Sequence, residues 1–266
     1  MSQTDRKPLL SAFILLALLS FGFLQSGKAQ ANNYQVAAGD NHNCVIDDSG
    51  VVCWGDNSNG QTSVPSLFNP TQVSAGNYYN CVFDDSGVIC WGENRSGQTN
   101  VPSLSNPTQV SAGGYHSCGL DDSGVVCWGY NGFGQTNVPS LSNPTQVVAG
   151  NHHTCALDDS GVVCWGNNSD GQTNVPVTPL PVDLSSYQVT MGDYHSCALD
   201  DSGVVCWGDD SLGQIYVPSL SNPTQVAAGR THSCALDDSG VVCWGASSSG
   251  QVPSLYNPSQ DRKSVV

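Results

Sequence analysis

The residues of this chain that could do chemistry are aspartate, serine, histidine and cysteine, and each type recurs at a fixed place. Asp-Asp-Ser-Gly occurs six times, for example Asp121 to Gly124. His42, His116, His153, His195 and His232 each stand two residues before a cysteine, and Tyr79 takes that place once. Paired aspartates suggest calcium or acid–base catalysis, a histidine series suggests a metal, and serine with histidine and aspartate suggests a nucleophilic triad. Each reading fails on number or geometry. Calcium takes about six to eight oxygen ligands, more than one such turn supplies. A zinc ion needs its ligands within about 2 Å, whereas each histidine comes from a different copy. A catalytic site needs one unique constellation, and here every candidate is repeated. The expectation is no metal, no cofactor and no enzymatic activity. The aspartates are read as caps of tight turns, and the histidines as structural groups bonded to backbone.

The cysteines carry a firmer signal. Six pairs lie nine residues apart: Cys44 and Cys53, Cys81 and Cys90, Cys118 and Cys127, Cys155 and Cys164, Cys197 and Cys206, Cys234 and Cys243. The stretch His116 to Gly129 (HSCGLDDSGVVCWG) reads as two short strands around a turn. A three-residue loop would set Cys118 opposite Trp128. A four-residue loop, Asp121 to Gly124, pairs Leu120 with Val125 and Cys118 with Cys127, with the glycine in the left-handed conformation at its end. The second register is chosen because cross-strand partners sit about 4.5–5.5 Å apart, inside the disulfide window of about 4.4–6.8 Å. Six local bridges are expected. Structural zinc is disfavoured, since it wants cysteines two to four residues apart.

Residues 1–31 read as a secretory signal peptide rather than as part of a fold: Arg6 and Lys7, then an apolar run over Leu9 to Leu24, then Ala29-Gln30-Ala31 as a cleavage site. Cysteine-rich chains that are exported form disulfides, so the two readings agree. The protein is expected to be secreted or periplasmic, with no membrane attachment after cleavage. The chain carries 22 Asp and Glu against 7 Lys and Arg, a formal charge of −15. Such a surface repels phosphate backbones and anionic membranes, so no nucleic acid is expected as a partner.

The elements that must position these residues repeat every 37 residues, with one step of 42 across Val177 to Tyr187. That period marks a repeat architecture. Each copy divides into a short apolar segment ending in glycine, a variable loop, the two cysteine strands, a polar loop ending in Gly-Gln, and a Val-Pro segment. These read as four short strands, with the proline-bearing fourth at a sheet edge. Four-stranded units that cannot bury their own faces and repeat radially make a β-propeller. The fold class is therefore all-β: a propeller over 32–260 with six or seven four-stranded blades, followed by a short tail, 261–266.

Ala-Gly-x-x-His-x-Cys-Ala-Leu, a turn with glycine, then Val-x-Cys-Trp-Gly and Gly-Gln resembles the regulator of chromosome condensation repeat. Ala228 to Leu236 carries that pattern most fully. The resemblance implies a propeller, usually of seven blades. The namesake's GTPase exchange and chromatin binding do not suit an exported acidic chain. A similar secreted bacterial propeller binds a protein through one face of its ring.

The copies agree in their strands and differ in two loops, one before the first cysteine strand and one after Trp-Gly. In an up-and-down blade both loops emerge on one rim, and the acidic turn emerges on the other. The expected binding residues are therefore Tyr78, Tyr115, Tyr130, Phe133, His152, Tyr194, Asp209 and Arg230. Exposed aromatics among small polar residues suit a protein-binding surface. The expected function is non-enzymatic binding of a protein partner. A glycan or cell-surface ligand is the alternative, and GTPase exchange or hydrolysis stands lower.

Overall fold

The computed structural model describes residues 35–176 and 187–246. The expected signal peptide, most of the longer link between the fourth and fifth copies, and the expected tail lie outside these residues. The chain clusters into two units, Met1–Asn33 and Tyr34–Val266, and all the described residues belong to the second.

Six three-stranded antiparallel sheets follow one another. The first holds β1 (Gln35–Ala38), β2 (His42–Asp47) and β3 (Gly50–Gly55), and the second β4 (Gln72–Ala75), β5 (Tyr79–Asp84) and β6 (Gly87–Gly92). The third holds β7 (Gln109–Ala112), β8 (His116–Asp121) and β9 (Gly124–Gly129), and the fourth β10 (Gln146–Ala149), β11 (His153–Asp158) and β12 (Gly161–Gly166). The last two hold β13 (Gln188–Met191), β14 (His195–Asp200) and β15 (Gly203–Gly208), then β16 (Gln225–Ala228), β17 (His232–Asp237) and β18 (Gly240–Gly245). The first strands line a common axial opening, so the sheets are blades around an axis.

The hairpin takes the expected register. Cys118 faces Cys127 and Leu120 faces Val125. Asp121 also faces Gly124, so the loop is the two-residue turn Asp122–Ser123 rather than the expected four residues, because the Asp121 side chain holds the turn closed. All six bridges form within their own hairpins. Their Cα atoms are 4.0–4.1 Å apart, closer than expected of an unbridged pair. Gly124 has φ 108°, which closes the turn where a side chain would be strained. Asp121 accepts bonds from the Ser123 N–H (2.7 Å) and hydroxyl (2.6 Å), and from the Ser105 N–H (2.8 Å). Asp122 holds the Asn106 amide at 2.6 Å. The two aspartates thus divide the work: the first caps the turn, and the second fastens the link that enters the blade.

The blades have three strands, not the expected four. The Val-Pro segment makes no ladder. Its donors are used locally, with Asn100 N bonded to Gly97 O and Val101 N to Thr99 O, both at 3.0 Å, and Pro102 has no N–H to give. The segment works through its side chains instead. Val101 and Leu104 cover a cluster containing Tyr79, Cys81, Val110 and Trp128.

The same set of bonds recurs between successive blades. Gln98 is fully buried, and its side-chain oxygen accepts the Ser96 N–H at 2.9 Å, shaping the loop. Its backbone carbonyl accepts the Trp128 indole N–H at 2.9 Å and the Ser117 hydroxyl at 2.9 Å, both from the next blade. The carbonyls of Gln61, Gln135, Gln172 and Gln214 do the same for Trp91, Trp165, Trp207 and Trp244.

Four of the histidines, His42, His116, His153 and His195, belong to these seams, and their partners are side chains of the next blade rather than backbone. His116 Nε2 meets Thr154 Oγ1 at 2.8 Å, and that hydroxyl donates to the Gln135 carbonyl at 2.8 Å. A hydroxyl has one proton, so His116 must donate from Nε2. His153 pairs likewise with Ser196, and His195 with Ser233. Tyr79 reaches farther, from its hydroxyl to the His116 carbonyl.

Burial pushes His116 and His153 down to about 3 and His195 to about 4, from 6.5. Between those values the unfolded chain holds protons that the folded chain does not. The stability that these histidines contribute is therefore complete above about pH 6.5 and falls as pH drops toward 4. Urea unfolding from pH 7 to 4 should show that limb, and His116→Gln should flatten it by about one proton. An unchanged slope in the variant would refute this origin.

Candidate functional site

The β7–β8 and β10–β11 loops and the loop after β9 emerge on one rim, because each blade is an up-and-down meander. Tyr115 comes from the first, His152 from the second, and Tyr130 and Phe133 from the third. They meet. Tyr115 stacks on His152 at 5.7 Å with 13° between the planes. Phe133 tilts against His152 at 5.0 Å, and Tyr130 stands edge-on to Phe133 at 6.2 Å and to His152 at 6.0 Å. Tyr130 and Phe133 remain 37% and 47% exposed. The rings are held by one another while two of them still face solvent. The Tyr130 N–H bonds the Tyr115 carbonyl at 2.9 Å, which ties the two loops together. Partial burial lowers the pKa of His152, so the cluster presents a neutral imidazole at pH 7.

The other expected residues lie elsewhere on the rim. Tyr78 has its pKa raised first by the charge of Asp40, then by burial, with Tyr115 and Arg230 also acting on it. Arg230 Nε pairs with Asp193 at 3.1 Å. Burial is the main reason that the Asp193 carboxyl is pushed up to about 6, against the pull of Arg230. A raised acid contributes stability at low pH that is lost as pH rises through about 6, opposite in sign to the histidines. Tyr194 is half-buried, and its carbonyl accepts the Asp209 N–H at 2.9 Å. The Asp209 carboxylate accepts from Ser211 (3.0 Å from N, 2.9 Å from Oγ) and from Gln214 Nε2 (2.7 Å). Asp209 braces its own loop.

Sequence reasoning missed the axial mouth. A hollow of about 430 Å³ on the axis is bordered by Asp40, Asn77, Gly114, Asn151, Asp193 and Arg230. Its signal was the residue after each Ala-Gly or Met-Gly pair, the one position whose charge changes sign between copies. Among the described residues no group of three or more His, Cys, Asp or Glu is placed to hold a metal ion. No described helix is long and apolar enough to cross a membrane. Six disulfides are those of a protein in an oxidising compartment.

Comparison with known structures gives propellers. The ectodomain of the receptor kinase CR4 from Physcomitrella patens aligns with a TM-score of 0.67 and 25% identity, over 80% of this chain and 64% of that one. The chain thus spans less than two thirds of that ectodomain. The CRINKLY WD40 ectodomain of the Arabidopsis thaliana receptor kinase ACR4 aligns with a TM-score of 0.62 and 25% identity, over 79% of this chain and 80% of that one. Prp20p from Saccharomyces cerevisiae, described with its binding to Gsp1p and histones, aligns at 0.68 and 20% identity, over 79% and 71%, and shows the fold alone. No curated protein sequence matches. The profile of the regulator of chromosome condensation (RCC1) repeat matches residues 34–61, 71–98, 108–135, 145–172, 187–214 and 224–251. With six copies over more than half its length, this chain belongs to the RCC1 repeat family.

Proposed function

We propose that this protein is an exported, non-enzymatic binding module that takes a protein partner through its variable rim. The observation that supports this most is the cluster of Tyr115, Tyr130, Phe133 and His152. Preset aromatic rings lose little conformational freedom on binding and dominate interface energetics. The seam bonds use positions that repeat from copy to copy and leave the loop tips free to differ. The signal-like leader and the six disulfides support export. An acidic surface favours a partner with a basic face. The receptor ectodomains it resembles, and the binding of Gsp1p and histones by Prp20p, support a protein-binding role for this fold.

The test is site-specific photocrosslinking of the mature protein in its own organism's envelope, with the photoreactive residue at position 133 or 122. A protein adduct is expected at 133 and not at 122. With that partner in hand, Tyr115→Ala with Tyr130→Ala should weaken binding about thirtyfold, the equivalent of about 2 kcal/mol, with an unchanged circular dichroism spectrum. An adduct at 122 alone would place the binding face on the acidic rim. Binding to a glycan array in place of a protein would favour the carbohydrate reading.

A further inference from the structure

The loop after the second cysteine strand is braced in two blades and left unbraced in three. Gln61, Gln98, Gln135, Gln172 and Gln214 are 0–1% exposed. Each accepts with its side-chain oxygen an N–H two residues back, as Gln135 Oε1 does from Phe133 N at 2.9 Å. That bond fixes which end of the amide carries the nitrogen. In the first and fifth blades the Nε2 donor meets a carboxylate at the position after Trp-Gly: Gln61 bonds Asp56 at 2.8 Å and Gln214 bonds Asp209 at 2.7 Å. In the second, third and fourth blades that position holds Glu93, Tyr130 and Asn167. There Nε2 of Gln98, Gln135 and Gln172 is buried without a partner.

Each exception has its own cause. The Glu93 carboxylate turns to Arg95 Nε at 3.5 Å. Asn167 Oδ1 accepts the Ser169 N–H at 2.9 Å, and its other terminal atom is itself a donor. Tyr130 offers a ring. That ring lies against Gly132, where a Cβ would come within 2.2 Å of the Tyr130 hydroxyl, and it packs on Phe133 and His152. A buried donor without an acceptor is destabilising, and aspartate at 130, as in the first and fifth blades, would supply the acceptor. Tyrosine thus departs from the residue that the loop itself favours. Departures of this kind mark functional sites, where stability is given up for activity.

We propose that Tyr130 is the specificity-determining residue of the rim, kept at a cost in stability, and that it selects an uncharged apolar side chain of the partner. The inference rests on the protein-binding reading of the rim. A carboxylate at 130 would brace the loop and attract a basic side chain. Tyrosine does not brace the loop and brings no carboxylate, so what it adds is apolar contact surface. Tyr130 and Phe133 keep 37% and 47% of their surface open to such a side chain. Basic residues of the partner have Asp56 and Asp209 on the braced loops instead.

Thermal melts in about 0.3 M salt, which screens an added charge, test the cost. Asn167→Asp is nearly isosteric and should raise Tm by about 3 °C by supplying Gln172 with an acceptor. Tyr130→Asp should melt about 3 °C above Tyr130→Ala, and the gap should close in a Gln135→Leu background. A Tyr130→Asp variant that melts with Tyr130→Ala would overturn the cost, whatever Asn167→Asp does. Recognition is read with p-benzoylphenylalanine at position 133 in the organism's own envelope. The protein adduct should sit on an uncharged apolar side chain, persist in Asn167→Asp and fall at least about tenfold in Tyr130→Asp. An adduct on lysine or arginine, or one undiminished in Tyr130→Asp, would overturn the inference and leave the protein-binding reading standing. No protein adduct without a second substitution would sink that reading itself, and the role of Tyr130 with it.

Discussion

Reduction of all six disulfides should unfold the mature protein at neutral pH and room temperature. Each bridge closes a loop between cysteines nine apart in sequence, worth about 2.5 kcal/mol in the chain-entropy account. Six such contributions come to about 15 kcal/mol, set against a total stability of about 5–15 kcal/mol for an ordinary domain. Hairpin structure that persists in the reduced chain lessens each contribution without restoring the balance. Near-UV circular dichroism and tryptophan emission should collapse together as twelve thiols become titratable. Removing one bridge, Cys118→Ala with Cys127→Ala, should cost about 2 kcal/mol in urea, because five staples and the seams remain. A near-UV spectrum that persists with every thiol titrated would show that the strands and seams hold the fold alone.

Gly113→Ala should cost about 3 kcal/mol or more. A Cβ there would lie 2.3 Å from the Gly150 carbonyl oxygen of the next blade and 3.0 Å from both Ala149 Cβ and His116 Cε1. Backbone cannot yield as the end of a flexible side chain can, so the blades must part. Parting them strains the Gly114–Gly150 bond (3.0 Å), the Val147–Gln109 bond (2.9 Å) and the His116–Thr154 bond together. Gly124→Ala is the control. Its Cβ meets nothing nearer than 3.7 Å, but φ is 108°, so it bears backbone strain alone, about 1–2 kcal/mol. Equal losses for the two variants would mean that the blades approach less closely at Gly113 than these distances require.

The hairpin was legible because its information is local: two cysteines, a glycine and an alternating pattern within fourteen residues fix a single register. The one-sided rim followed from it, since a meander decides which loops share an end. The fourth strand was misread because a Val-Pro pattern suits an edge strand and equally suits an extended link. What separates them is where the neighbouring donors go, and here they go to Gly97 and Thr99. The histidine partners were not legible. His116 and Thr154 are 38 residues apart in sequence, and only the side-by-side packing of whole blades brings them together. For the same reason the sequence set eight rim residues side by side, while the fold gathers Tyr115, Tyr130, Phe133 and His152 and leaves Asp209 bracing its loop.

The seam repeats with nearly the same residue types, glutamine carbonyl to indole at all five described junctions and imidazole to a small polar side chain at four of them, with Tyr79 standing in at the other. Nothing in that vocabulary says which blade stands third and which fourth. A gene for such a chain can gain, lose or shuffle a 37-residue unit by unequal recombination, and the new neighbours will already fit. Each such event reorders the rim loops. Recombination then samples new recognition surfaces while the interior needs no compensating mutation.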